Sequence, residues 1–157
     1  MDDLVKKVIV KLLEREHSIL TYDYGNQNSY STKNFLDNQT IRMTGMNALV
    51  LQKLVNLEEH QFVSWVLDGI HYGIDFHFHV SSATYHLIPL ELLIKWPIRM
   101  YNEKNQRIVA CPEKAITYKE MISLPDAAIL IRTKSQIITD LAKEVEEKKH
   151  IKVIERF

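Results

Sequence analysis

The chain has 157 residues, of which 46% are hydrophobic and 25% are charged, as expected for one soluble globular domain with a substantial core. Lys and Arg together number 20, and so do Asp and Glu, so the formal net charge is zero. Because duplex-binding proteins usually carry a basic surplus, this balance disfavours nucleic acid as a partner, and the composition also disfavours collagen, coiled-coil and disordered classes.

The sequence begins with the pattern of an amphipathic helix over residues 2–16. Asp2 and Asp3 suit the first turn, where negative charge complements the helix dipole. Lys7 and Lys11 lie on the polar side of this helix. The apolar side chains share one arc at three- and four-residue spacing, and they are Leu4, Val5, Val8, Ile9, Leu12 and Leu13.

This helix needs a surface to pack against, because an isolated helix of about 15 residues is marginal in water. Burial of six aliphatic side chains yields about 9 kcal/mol at about 1.5 kcal/mol each. Association of two molecules costs an estimated 4–15 kcal/mol, so one contact with a partner would be weak and retention would need many copies. The alternative is that the helix packs on its own domain.

No targeting or membrane segment is recognisable. The first apolar run, Val8-Ile9-Val10, ends at Lys11 and is shorter than the roughly 7–15 apolar residues of a signal peptide. No stretch approaches the about 20 apolar residues of a membrane span. The single cysteine, Cys111, excludes an internal disulfide and suits a reducing cytoplasm. We therefore expect a cytoplasmic protein with no membrane partner.

Residues 19–34 begin with the short apolar patch Ile19-Leu20 and continue as a polar, turn-rich segment from Tyr22 to Asn34. A long structureless loop is unusual inside a compact domain, which favours a tether between the helix and the domain. Tyr22, Tyr24 and Tyr30 could stack on nucleobases, but the neighbouring Arg and Lys that such a site needs are lacking, so loop anchoring is favoured.

The chain therefore divides into an amphipathic helix over residues 1–18, a polar linker or loop over 19–34, and a single α/β domain over 35–157.

A βαβ unit is predicted early in that domain. The apolar run Ala48-Leu49-Val50-Leu51 predicts a strand buried on both faces. A helix follows over residues 61–71 and ends at Gly73. Residues 74–80 then alternate apolar and polar side chains, as a strand does. Strand, helix and strand in this order predict a βαβ unit.

A hairpin and a short helix are predicted next. Ile98–Tyr101 and Arg107–Ala110 flank a turn-rich segment and predict two antiparallel strands. Thr117 and Glu120 have the spacing of a capping box, and Pro125 stops the short helix that follows.

The C-terminal segment predicts a second βαβ unit. Ala127–Ile131 predicts a strand, and Ile151–Ile154 predicts the last one. Between them, the capping-box spacing of Thr133 and Gln136 predicts the start of a helix that includes Ile137-Ile138. Two such units predict an α/β fold: a small three-layer parallel or mixed sheet with helices on both faces, plus the N-terminal amphipathic helix.

Histidine is concentrated in one stretch, where His71, His77, His79 and His86 fall within sixteen residues. On a strand, Asp75, His77 and His79 point to one face. Such a His-x-His pair can supply two imidazoles to zinc or iron, with the carboxylate as a further ligand or supporting partner. Because the opposite face of this strand is apolar, a solvated or structural polar face is favoured over a metal site.

The common catalytic and cofactor motifs are absent from the sequence. Its four glycines form neither G-x-G-x-x-G nor a Walker A loop, and neither G-x-S-x-G nor H-E-x-x-H occurs. Cys111 has no basic neighbour that clearly lowers its pKa, although Lys114 is near, so a core or loop position is favoured over a nucleophile. We expect no catalytic residue, no cofactor and no metal, apart from the alternative of Asp75, His77 and His79.

Two runs of the sequence resemble a known family. NALVLQKLVNLEEHQFVSWVLDGIHYGIDFHFHV and AAILIRTKSQIITDLAKEVEEKKHIKVIERF resemble the PduM-type proteins of the propanediol-utilization microcompartment. The similarity spans residues 40–157 and includes no catalytic fingerprint. The same order of elements is similar to other microcompartment-associated α/β proteins, including flavoprotein-like ones.

The resemblance implies a non-enzymatic component of a bacterial metabolosome, needed for assembly and located in or on a microcompartment in the bacterial cytoplasm. An amphipathic N-terminal helix followed by a linker resembles the short sequences that direct cargo to such shells. The partners would then be shell proteins or encapsulated enzymes, and a homo-oligomer is compatible with this. The docking face would be Leu4, Val5, Val8, Ile9, Leu12 and Leu13.

Two alternatives come from other functional classes. A small metal-dependent enzyme would use His77 and His79, and elemental analysis of protein purified without a His-tag would detect its metal. A flavoprotein-like binding module would release flavin on denaturation.

Overall fold

The computed structural model describes residues 2–26 and 29–156, which form an α/β fold around one seven-stranded sheet. The helices within these residues are α1 (Asp3–Glu16), α2 (Lys33–Asp37), α3 (Ala48–Val55), α4 (Gln61–His71), α5 (Leu90–Ile94), α6 (Tyr118–Ile122) and α7 (Asp140–Lys148), with 3-10 turns at Tyr24–Asn26 and Ser82–Leu87. The strands are β1 (Ile19–Asp23), β2 (Thr40–Met46), β3 (Asp75–Val80), β4 (Ile98–Tyr101), β5 (Arg107–Val109), β6 (Ala115–Ile116), β7 (Ile129–Arg132), β8 (Ile137–Ile138) and β9 (Lys152–Glu155).

The large sheet has the strand order β1-β2-β3-β4-β5-β7-β9, and β6 and β8 form a separate two-stranded parallel ladder. Strands β1 to β4 are mutually parallel. β5 pairs antiparallel with β4, whereas β5, β7 and β9 are parallel to one another. The sheet therefore consists of two parallel halves that run in opposite directions and meet at the predicted hairpin.

Asn102 fixes the hairpin at which the sheet reverses. Its side-chain oxygen accepts hydrogen bonds from the backbone N–H groups of Lys104 and Gln106, both at 2.9 Å. Its amide nitrogen donates to the hydroxyl of Tyr85 at 2.9 Å. Because Asn102 is buried, these bonds satisfy a polar group that would otherwise oppose folding.

The reversal decides which face each helix covers. Parallel strands β1 to β4 are added in one lateral direction, and right-handed crossovers place all of their helices on one face. β5, β7 and β9 are added to the sheet in the same lateral direction, but their chain direction is opposite to that of β1–β4. The same handedness therefore places α6 and α7 on the other face.

Two hydrophobic clusters agree with this topology. The larger contains buried side chains of α3, α4 and α5 together with Phe76 of β3, and the smaller contains Met121 of α6 and core residues of α7. Strand β7 separates them, since Ile129 and Ile131 belong to the larger cluster and Leu130 to the smaller. The prediction of an α/β sheet with helices on both faces and an N-terminal helix is confirmed.

Several local predictions are confirmed. The strand over 74–80 is β3, the helix over 61–71 is α4, and Gly73 has the left-handed φ of +77° that ends it. Thr117 and Glu120 form the predicted capping box.

The prediction of a strand at Ala48-Leu51 is wrong, because these residues begin α3. Asn47 caps this helix by accepting a hydrogen bond from the backbone N–H of Val50 at 3.1 Å. The strand of this βαβ unit lies just before it, over Thr40–Met46. A short, continuously apolar run has no periodicity that separates a buried helix from a buried strand.

The predicted start of the last helix at Thr133 is also wrong. The side chain of Gln136 accepts a hydrogen bond from the backbone N–H of Thr133 at 2.9 Å, but this bond closes a turn. Gln136 also donates to the carbonyl oxygens of Cys111 at 2.7 Å and Glu113 at 2.8 Å. Because these bonds hold the chain beside the segment before β6, Ile137–Ile138 form strand β8, and α7 begins after Thr139.

The structure also differs from the predicted linker over residues 19–34. Residues Ile19–Asp23 form β1, the edge strand beside β2, and residues Lys33–Asp37 form α2. Residues 27 and 28 of that segment lie outside the described residues. The tyrosines anchor the segment as expected, since Tyr22 stacks on Trp65 with ring centroids 5.2 Å apart and Tyr24 packs edge-on against Phe62.

Candidate functional site

The apolar stripe of α1 consists of Leu4, Val5, Val8, Ile9, Leu12 and Leu13, and it lies open to solvent. These side chains are between 43% and 66% exposed, and α1 contributes no buried residue. At 1.5 Å per residue the helix extends about 21 Å. A row of aliphatic side chains of this length without a covering surface is typical of a contact site for another molecule.

Within the part of the chain that the structure describes, polar contacts attach the C-terminal half of α1 to the body of the molecule. The Arg15 guanidinium donates to the carbonyl oxygen of Phe35 at 2.9 Å and to the side chain of Gln39. The Lys11 ammonium lies 3.8 Å from the Asp37 carboxylate. These contacts lie along one edge of the apolar stripe and fix the orientation of the helix. They leave the stripe itself uncovered.

A second open surface lies on the sheet, on the face of β1–β4 away from α2–α5. Within the described residues neither hydrophobic cluster extends over it, and none of its outward side chains is buried. We call it the polar sheet face. Strand register places these side chains together: Thr21, Asp23, Thr40, Arg42, Thr44, Asp75, His77, His79, Arg99 and Tyr101, with Arg107 of β5 beside Tyr101.

The structure brings Asp75, His77 and His79 to this face, as the alternation predicted. His77 Nε2 lies 3.3 Å from the Asp75 carboxylate, which also lies 4.0 Å from Arg99 Nε. The His79 ring instead stacks on Tyr101 with centroids 5.4 Å apart. Burial and then the positive charge of Arg42 lower the pKa of His79, so this imidazole is neutral at pH 7.

The other two histidines of the stretch lie elsewhere. His71 ends α4, which packs on the opposite face of the sheet, and His86 Nδ1 lies 2.8 Å from the carbonyl oxygen of Glu155. Over residues 2–26 and 29–156, no three His, Cys, Asp or Glu side chains are grouped so that they could hold a metal ion.

Cys111 is buried in the smaller hydrophobic cluster. Burial raises the pKa of its thiol to about 11, with further contributions from Glu113 and Glu120. Because the thiolate is the reactive form, this cysteine is a poor nucleophile at neutral pH.

Two arginines of the polar sheet face were missed in the sequence. Arg42 and Arg107 each place a buried Nε atom on this face without a hydrogen-bond partner among the described residues. The signal that could have identified Arg42 is the alternation of Thr40, Ile41, Arg42, Met43 and Thr44. The strand is instead predicted at the apolar run that follows this pattern.

Comparison with known proteins identifies one family. The family model PDU-like, described as "Putative propanediol utilisation", matches residues 3–152, which include α1 and every strand of the sheet except most of β9. No curated protein and no solved structure matches the chain. In the part of the chain that the structure describes, no helix is both long and apolar enough to span a bilayer.

Proposed function

From the premise that this chain belongs to the PDU-like family of propanediol utilisation, we propose that it is a non-catalytic assembly component of a propanediol-utilisation microcompartment, of the PduM type. In this proposal α1 docks to the shell or to an enclosed enzyme, and the sheet and its helices form the body that is thereby positioned. The family membership fits a role in a microcompartment, which lies in the bacterial cytoplasm.

The exposed apolar stripe of α1 is the observation that supports docking. Its six side chains are unburied, although burial of a Leu, Ile or Val side chain is worth about 1.5–3 kcal/mol. A 14-residue helix held only by its last turns would gain both order and buried area on a partner surface. The low affinity expected for a single helix suits a repetitive shell, on which many copies bind side by side.

The non-catalytic role is supported by how the reactive side chains are used. The Cys111 thiol is protonated at neutral pH because burial raises its pKa to about 11. His60 caps α4 by accepting a hydrogen bond from the backbone N–H of Phe62 at 3.1 Å. His77 is held against Asp75, and His79 against Tyr101. Each of these groups has a structural partner.

Paired substitutions on α1 test the docking role. Val8→Gln together with Leu12→Gln removes two members of the apolar stripe while keeping helix propensity high. We expect co-purification with intact compartments to fall at least about tenfold, since each lost contact is worth more than about 1.4 kcal/mol. Lys7→Gln with Glu14→Gln on the polar side is the matched control and should co-purify as the wild type does.

Undiminished co-purification of the Val8→Gln, Leu12→Gln variant would contradict docking through the stripe. The non-catalytic role is tested separately in a host that lacks the gene. We expect its compartments to be malformed by electron microscopy while lysates with broken shells retain every enzymatic step of propanediol degradation. Loss of one step from such lysates would show that the protein is an enzyme.

A further inference from the structure

The polar sheet face is open because of the topology of the chain. The helices of β1–β4 all lie on the other face, and α6 and α7 cover only the half formed by β5, β7 and β9. The layer formed by α6 and α7 therefore ends beside β4. On the same face, the side chains of β2, β3 and β4 that this layer leaves uncovered are accessible to a ligand.

The charges on this face are unevenly compensated. Arg99 is paired with Asp75 at 4.0 Å, at the amino-terminal end of β3. Asp23 lies at the far end of β1, where it accepts a hydrogen bond from the backbone N–H of Gly25 at 3.0 Å. The two carboxylates thus flank the face, and Arg42 and Arg107 in its centre form no ion pair with an acidic side chain of residues 2–26 and 29–156.

Arg42 of β2 and Arg107 of β5 lie on the strands to either side of β3 and β4. Tyr101 pairs with Arg107 across the hairpin and stacks on His79 with ring centroids 5.4 Å apart. Arg42 lies close enough to His79 for its charge to act on that imidazole. The His79–Tyr101 stack therefore lies between the two arginines.

The Nε atoms of both arginines are buried and have no acceptor among the described residues, as is also the case for Arg156 after β9. A ligand would therefore be bound by the outer Nη atoms of Arg42 and Arg107, which are not among these buried atoms. A buried donor without a partner costs about 1–3 kcal/mol, and more when the group is charged. A planar guanidinium is suited to bind an oxyanion through two parallel hydrogen bonds. A neighbouring cavity of about 480 Å³ at the carboxyl ends of β2 and β3 is lined by Thr44, Gly45, Met46, His79, Val80, Ser81 and Glu103. The Glu103 carboxylate accepts a hydrogen bond from the backbone N–H of Ser82 at 3.2 Å. The carboxyl ends of parallel strands are where open α/β sheets bind their ligands.

We propose that the centre of the polar sheet face binds a phosphate-type oxyanion, held by Arg42 and Arg107 above the His79–Tyr101 stack. The oxyanion is either free phosphate or the phosphate group of a small ester whose remainder occupies the adjoining cavity. An extended acidic segment of a partner fits less well, because Asp23 and Asp75 would repel both of its ends. This site does not depend on α1 or on docking.

Isothermal titration calorimetry of the full chain with inorganic phosphate and with glycerol 3-phosphate tests the proposal. We expect binding of at least one of them, and a preference for the ester would identify an ester as the source of the phosphate. Arg42→Gln and Arg107→Gln should each weaken binding at least about tenfold, the loss of one charge-assisted contact. Arg99→Gln is the matched control and should change the affinity less than about threefold, because Arg99 already pairs with Asp75.

Two further measurements separate a built site from general charge attraction. Arg42→Lys retains the charge but loses the fork of donors, so it should bind more weakly than the wild type and more tightly than Arg42→Gln. Bound phosphate should also raise the pKa of His79, which NMR titration of its ring protons reports. Absence of binding by the wild type, or equal weakening by the Arg42 and Arg99 variants, would overturn the proposal. So would binding by an acidic peptide in preference to both phosphates.

Discussion

Single residues set the close contacts inside the larger core cluster. Gly69 lies in α4 directly above β3, where an added Cβ would come within 2.5 Å of Phe76 Cζ and 3.0 Å of Phe35 Cε1. Both phenylalanines are fully buried, so neither ring has free space into which it could move. The packing of α4 on the sheet therefore requires a residue without a side chain at this position.

We expect Gly69→Ala to destabilise the protein by about 1–3 kcal/mol, although alanine favours the helix by up to about 1 kcal/mol. Ser64→Ala, at an exposed position of the same helix, should change the free energy of unfolding by less than about 0.5 kcal/mol. Urea denaturation followed by circular dichroism measures both. A Gly69→Ala protein as stable as the wild type would show that α4 stands farther from β3 than these distances indicate.

Among the α-helices that the structure describes, α1 is the longest and is the one without a buried side chain. Its sequence predicts an amphipathic helix, but the body supplies no apolar surface for it. Asp2 caps its start by accepting a hydrogen bond from the backbone N–H of Leu4 at 3.3 Å, and Arg15 fastens its end. Apart from the polar contacts of Lys11 and Arg15 with the body, this helix depends on its own backbone hydrogen bonds, which are weak over 14 residues.

Amide hydrogen exchange should therefore divide the isolated protein into two regions. The amides of α1 should exchange nearly as fast as those of an unfolded chain, whereas β2 and β3 should be protected up to the global free energy of unfolding. On compartments, the protection of α1 should rise by at least about tenfold. If α1 were as protected as β3 in the isolated protein, its stripe would already be covered.

At the scale of the whole molecule, the two open surfaces differ in chemistry, one being apolar and the other polar. The apolar stripe of α1 cannot serve as the cover of the polar sheet face, because aliphatic side chains would bury Arg42 and Arg107 without an acceptor. The body itself is complete without α1, since both hydrophobic clusters form from residues after β1 begins. The proposed docking and the folding of the body thus involve separate parts of the chain.

Deletion of residues 2–13 should consequently shift Tm by less than about 4 °C, the equivalent of about 1 kcal/mol for a chain of this size. What is lost is an exposed ion pair between Lys11 and Asp37, worth about 0–1 kcal/mol. As the control, truncation after Lys149 removes β9 and the buried Ile151 and should lower Tm by several times that amount. Differential scanning calorimetry compares the two, and equal losses would mean that α1 is part of the folded core.

The sequence by itself determined the elements whose patterns are local. β3, α4 and the β4–β5 hairpin were predictable because alternation, helical spacing and turn residues act over a few positions. The amphipathic character of α1 was equally plain from Leu4, Val8 and Leu12.

Only the tertiary structure decided the features that depend on distant partners. Ile19–Asp23 form a strand because they pair with the edge of β2. Ile137–Ile138 form a strand and not part of a helix because they pair with β6. The opening of the polar sheet face follows from the reversal at Asn102 and from the handedness of the crossovers, and the α1 stripe is exposed because the body packs no apolar surface against it. Long-range hydrogen bonding and packing fix these features, and no local window of the sequence contains both partners.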